Sequence, residues 1–162
     1  PATKGAYVYE NMETREPGVF SCGNVVHVHD LVDFVTAESQ KAGKAAAQYA
    51  AGLRCPEDGR VFSLKKEGCV TYTVPQAIRE ENVDKKTEIS FRVNQVLAGS
   101  LIEVRDREKV ICSFKREYMA PGEMEHITVP AALLAKAEGT ELTVSVRAEA
   151  ARGSAQAGGE IQ

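Results

Sequence analysis

The chain has 162 residues, 20 Lys and Arg against 23 Asp and Glu, and a formal net charge of −3, enough length for one domain or two small ones. Residues 1–53 hold four Lys or Arg and six Asp or Glu; neither part of the chain has the basic excess that a phosphate backbone demands, so nucleic acid is not an expected partner. No apolar run approaches the ~18–20 residues of a membrane span.

The first stretch with a structural signature is "AYVYE", residues 6–10, which reads as a strand. "GVFSCGN", residues 18–24, reads as a short buried strand that stops abruptly at Gly-Asn. From Asp30 the sequence "DLVDFVTAESQKAGKAAAQYAAG" reads as one helix, its second half rich in alanine. Asp30 is a suitable N-cap, and Asp33 stands at N3 where a capping box has glutamate. Gly52 suits the C-terminal end.

"RCPEDGR", residues 54–60, puts Pro, Asp and Gly close together and reads as a linker turn. Beyond it the composition turns β-like. "CVTYTVP", "EISFRVNQV", "SLIEVRD", "KVICSFKREY", "EHITVP" and "ELTVSVRAE" are short runs rich in Val, Ile, Phe and Thr. Ile89, Phe91 and Val93 alternate with polar residues, as do Leu142, Val144 and Val146. "LAGS", "DREK", "APGE" and "AEGT" read as the intervening turns, and the pattern predicts an antiparallel β-sandwich. Residues 131–137 predict a helical turn. The predicted organisation is a first unit at 1–53, a linker at 54–60, a sandwich at 61–148 and a flexible polar tail at 149–162. The chain begins with Pro1 rather than Met, which reads as a processed chain or a piece of a longer one.

The cysteines are Cys22, Cys55, Cys69 and Cys112, with no CxxC pair. That spacing offers neither a zinc ribbon nor a thioredoxin-type dithiol. Free thiols in a reducing cytoplasm are the expectation, with a Cys55–Cys69 bridge left open.

The stretch "GNVVHVHDLVDF", residues 23–34, is the most unusual in the chain. His27 and His29, two apart on an extended segment, would point the same way, with Asp30 next. Zinc takes three or four ligands, yet the only other histidine is His126, and no supporting Cys or carboxylate cluster is evident. No metal is therefore expected. A hydrolytic triad finds no G-x-S-x-G turn beside Ser21. The plain reading makes His27 and His29 structural, bonding the loop backbone. Another uses the whole strand–loop–helix unit. A helix N-terminus presents unpaired N–H groups and partial positive charge, which suits an anionic or electron-rich ligand edge.

"TREPGVFSCGN", residues 14–24, followed by the helix, resembles the second FAD-contacting motif of the pyridine nucleotide-disulfide oxidoreductase superfamily. Thr14, Gly18, Val19, Phe20, Gly23 and Asn24 match that motif, with Asn24 in place of the commoner aspartate. "GNVVHVHDLVDFVTAES" is similar to a bacterial subgroup of NAD(P)- and FAD-dependent oxidoreductases that carries an extra C-terminal β-rich domain, and residues 60–148, with "APGEMEHITVP", are similar to that domain. The resemblance implies a mixed fold: the last strand and helix of an α/β FAD-binding domain followed by the antiparallel sandwich. It implies FAD contacts from Gly23 and Asn24, and from Leu31, Val32 and Asp33 at the helix start. His27 or His29 would then approach the substrate side of the flavin.

No G-x-G-x-x-G occurs in the 162 residues. The superfamily needs one such turn for the FAD pyrophosphate and another for NAD(P). The resemblance therefore implies the C-terminal part of a cytoplasmic flavoenzyme that exchanges hydride between NAD(P)H and an acceptor. By itself this part would be inactive, and its expected partners are the remainder of its own chain and a second copy across an exposed strand edge. The rival expectation is non-enzymatic: a β-sandwich module that docks to a partner protein. His126 reads as a half-exposed strand residue.

Overall fold

A computed structural model describes residues 3–53 and 59–148. The expectations for Cys55 and for a flexible tail at 149–162 fall outside those residues. The described chain is mixed α/β with mostly β content, in two sheets. Its strands are β1 (Val61–Gly68), β2 (Val70–Val74), β3 (Ala77–Arg79), β4 (Lys86–Val93), β5 (Leu97–Asp106), β6 (Lys109–Met119), β7 (Glu125–Pro130) and β8 (Glu141–Ala148). Helix α1 is Val32–Ala50 and the single turn α2 is Ala131–Leu134. One sheet has the order β3-β1-β8-β5-β6 and the other β2-β4-β7.

The alternating residues do what their period requires. Ile89, Phe91 and Val93 on β4 and Leu142, Val144 and Val146 on β8 are buried in one cluster with Phe62, Ile102, Val104 and Ile127. Both sheets contribute to that cluster, so its burial joins them. Each fully buried Val, Leu, Ile or Phe side chain contributes roughly 1.5–3 kcal/mol.

Several expectations need correction. The sheets are not wholly antiparallel: β1 and β8 pair in parallel from Ser63 opposite Glu141 to Gly68 opposite Val146. Alternation reports which face is buried and carries no strand direction. Strands β1 and β3 were not among the expected runs. "LAGS" lies inside β5, where Gly99 takes a φ of 62°; the glycine lets the strand pass through a left-handed residue instead of ending it.

The first segment contains no continuous strand. "AYVYE" and "GVFSCGN" form isolated bridges, Val8 with Thr14, Tyr9 with Ala77, and Glu13 with Phe20. The chain folds back on itself there, with Tyr9 N–H on Glu13 O at 2.8 Å and Ser21 N–H on Met12 O at 3.0 Å. An extended run needs a partner strand along its length, and this tight loop finds only local partners and single contacts with residues 76 and 77. Val19, expected to be buried, is 52 % exposed.

A second cluster of Val8, Met12, Val26, Ala42 and Val74 seats the loop and α1 on β2. Ion pairs close the same seam. Arg79 of β3 binds Glu10 at 2.9 Å and Glu13 at 2.6 Å. Arg92 of β4 binds the Asp30 carboxylate and donates to Val28 O at 2.9 Å.

Candidate functional site: a histidine–glutamate cluster beneath a helix start

Asp30 does not cap α1. The N-cap is Leu31, without a side-chain hydrogen bond, and the helix begins at Val32. The Asp30 carboxylate is occupied by Arg92 and by Met124 N–H at 2.6 Å. Burial alone would raise this carboxyl, but those donors and the Arg92 charge outweigh it and hold it below its ordinary value. Asp33 stands exposed in the first turn. At the other end the expectation for Gly52 agrees with the geometry. Its φ is 82°, its N–H bonds Tyr49 O at 2.9 Å, and Leu53 N–H bonds Gln48 O at 2.9 Å, the pattern of a Schellman cap.

Gly23 takes a φ of 72° and opens a 3-10 turn, Gly23–Val25. The turn is closed by Val26 N–H on Gly23 O at 2.8 Å. It directs His27 under the helix, and the next residues alternate: Val28 is 65 % exposed while the His27 and His29 side chains are 1 % and 2 % exposed. Asn24 Oδ1 accepts the His29 N–H at 3.2 Å and holds the segment.

Both histidines meet Glu38, in the second turn of α1. His27 Nε2 lies 2.9 Å from Glu38 Oε2, and His29 Nε2 lies 3.3 Å from Oε1. Gly23 N–H donates to the same Oε1 at 2.6 Å. Burial raises the Glu38 carboxyl, but the His27 and Gly23 bonds and the two imidazoles nearby outweigh it, and the net shift is downward. The two imidazoles stand edge to face with centroids 4.4 Å apart. The Nδ1 atoms of both rings are buried without a hydrogen-bond partner.

This arrangement corrects two expectations. The histidines bind a carboxylate and not the loop backbone, and a supporting carboxylate exists. Glu38 was legible in principle. Glu38, Ala42 and Ala45 stand at i, i+4 and i+7, and they are the buried residues of α1. A glutamate within a small apolar stripe signals a polar partner beneath it.

His126 joins from β7. Its ring lies 4.5 Å from that of Phe34, and its Nδ1 lies 2.9 Å from Ser90 Oγ and 3.6 Å from Glu88 Oε1. Its Nε2 is buried and unpartnered. Burial pulls the imidazole below its usual value; Glu88 and Glu125 oppose that pull, while His27 and His29 add to it. A cavity of about 80 Å³ is lined by His29, Glu38 and His126, together with Met12, Phe34 and Ser90. His29 and His126 thus line one cavity with Glu38, and His27 joins them through Glu38, although His126 is some hundred residues away in sequence.

The residues expected to contact FAD form a separate, outward-facing group. Gly23 is buried behind it, whereas Asn24, Leu31, Val32 and Asp33 are exposed. Val25, Val28, Leu31 and Val32 are between 57 % and 78 % exposed and surround the uncapped start of α1. Among the described residues Cys22, Cys69 and Cys112 are free; burial raises the Cys69 thiol and pushes that of Cys112 up to about 11, which disfavours the thiolate at those two positions. Among the described residues, no helix is long and apolar enough to cross a membrane. No family model, curated protein or solved structure matches the chain.

Proposed function

We propose that this chain is the C-terminal part of a cytoplasmic FAD- and NAD(P)-dependent oxidoreductase. In this reading residues 1–53 end an FAD-binding domain, and the two-sheet body is a β-sandwich appended to it. The observation that carries the reading is the start of α1. The first amides of a helix have no intrahelical partner, and here no side chain caps them. They are ringed by exposed Val25, Val28, Leu31 and Val32. Unpaired N–H groups inside an apolar rim fit the electron-rich edge of a flat ring system.

When bound, FAD would supply the redox chemistry between the nicotinamide and the acceptor. The chain's own residues would orient and polarise. The amides of Val32 and Asp33 would face the pyrimidine edge, and the helix dipole would favour negative charge there. The Asn24 amide nitrogen would donate to a ribityl hydroxyl, since its oxygen already holds His29 N–H. Gly23 would let the backbone turn away at a positive φ that a branched residue tolerates poorly. The pyrophosphate and NAD(P) turns would lie outside these 162 residues.

The test is flavin content in a protein extended to include those turns. Wild type should purify yellow, Gly23→Val should lose the flavin, and Asn24→Ala should weaken it by roughly 1–3 kcal/mol. The 162-residue chain alone should show no saturable FAD binding. A colourless extended protein would refute the reading in favour of the rival, in which the same apolar rim docks a partner protein.

A further inference from the structure

We propose that His27, His29 and Glu38 form a binding site for a divalent first-row transition-metal ion, with the cavity between α1 and β7 at its open position. The inference does not require the flavin reading: the ligating side chains lie beneath the helix start and not on its exposed rim, although Gly23 and Asn24 border both.

The donor set comes first. Two imidazoles and one carboxylate are the set that catalytic zinc sites and non-haem ferrous sites use, with a position left free for water or substrate. Ligand atoms of the three residues lie within 4.8 Å of one another. At metal bonds of ~2.0–2.1 Å, tetrahedral donors stand about 3.3–3.4 Å apart. The Glu38 oxygens are already 2.9 and 3.3 Å from the two Nε2 atoms, close to that spacing for each carboxylate–imidazole pair.

The second observation is unused capacity. His126 lines the same cavity as His29 and Glu38, and its Nε2 is buried without a hydrogen-bond partner. Buried polar atoms are ordinarily paired, so a group held in that cavity is the partner this nitrogen lacks. The His27 and His29 side chains are 1 % and 2 % exposed, so the donors are already withdrawn from water.

The third is the support around the donors. Gly23 N–H fixes one Glu38 oxygen at 2.6 Å, and Asn24 Oδ1 fixes the His29 backbone. Outer contacts of this kind hold ligands in place before the ion arrives. The cavity of about 80 Å³ has room for an ion-bound water, whose share of liquid volume is about 30 Å³. His126, with Ser90 on its Nδ1, forms part of the wall of that cavity.

The experiment uses the 162-residue chain, stripped with chelator and titrated with Zn²⁺ and, separately, Co²⁺. Wild type should take up one ion per chain at micromolar affinity or tighter, melt at a higher temperature with zinc, and give the visible absorption of ligated Co²⁺. His29→Ala and Glu38→Gln should each lower affinity at least tenfold, whereas His126→Ala should keep the stoichiometry. Folding of each variant is checked by its metal-free melt. His29→Gln is the second variant if the alanine form does not fold. Absence of a zinc-dependent rise in wild-type Tm overturns the proposal. So does unchanged affinity in both Glu38→Gln and a folded His29 variant, which would mean the ion binds elsewhere.

Discussion

Arg79→Met is the sharpest probe of how the first segment is held. The guanidinium is 14 % exposed and donates to Glu10 Oε1 from Nε at 3.1 Å and from Nη2 at 2.9 Å. It also donates to Glu13 Oε2 at 2.6 Å and Asn11 Oδ1 at 2.7 Å, and it lies 4.4 Å over the Tyr9 ring. The two carboxylates are 4 % and 9 % exposed, so methionine would keep the apolar stem and leave them without their cation. Removing one partner of a buried pair costs about 3–5 kcal/mol. Glu10 keeps the Arg79 backbone N–H and Asn82 Nδ2, and Glu13 keeps Gly18 N–H, which places the expected cost near the lower bound, about 3 kcal/mol. That is a large part of the ~5–15 kcal/mol that stabilises an ordinary domain. Urea unfolding followed by circular dichroism measures it from the shift in midpoint. Lys65→Met is the control: its pair with Glu141 spans 3.5 Å with both side chains more than half exposed, so its loss should cost under ~1 kcal/mol. An Arg79→Met cost no larger than the control's would refute the reasoning.

Two further substitutions test the body and its charge. Phe91→Ala removes a fully buried ring from the shared core of the two sheets and should cost about 3–5 kcal/mol in the same urea assay; a cost below ~1 kcal/mol would mean the sheets do not share that core. The Asp106 carboxylate accepts Glu138 N–H at 2.6 Å and Gly139 N–H at 3.0 Å, and these bonds hold its carboxyl below the ordinary value. Its stabilisation is therefore present above the unfolded pKa of ~3.9 and is lost as pH falls through the lower folded value. Asp106→Asn should lower Tm at pH 7 and converge on wild type toward pH 2, and a difference that stays constant with pH would count against the assignment.

Much was legible before the chain was folded. The alternating residues of β4 and β8 could satisfy their period only with one face buried, and on each strand that apolar face entered the core. Gly52 could end the helix because a left-handed residue must follow it, and glycine adopts that conformation at least cost. The predicted turn at residues 131–137 appears as α2 over Ala131–Leu134. His27 and His29 stood out because two imidazoles at a spacing of two project together from an extended segment.

Tertiary structure decided the rest. Strand direction has no local signature, so the parallel pairing of β1 with β8 could not be read. Asp30 had every local qualification as an N-cap, but a guanidinium from β4 offers a carboxylate more than one backbone amide does, and Arg92 took it. Glu38 lies eleven residues beyond His27, and the carboxylate meets the imidazoles only because Gly23 turns the chain back under α1. His126 reaches the same cavity through pairing of β7 with β4. A short-range pattern can nominate two histidines, but long-range packing supplied their carboxylate and the wall of their cavity, because such contacts depend on register and crossing that no single stretch of sequence contains.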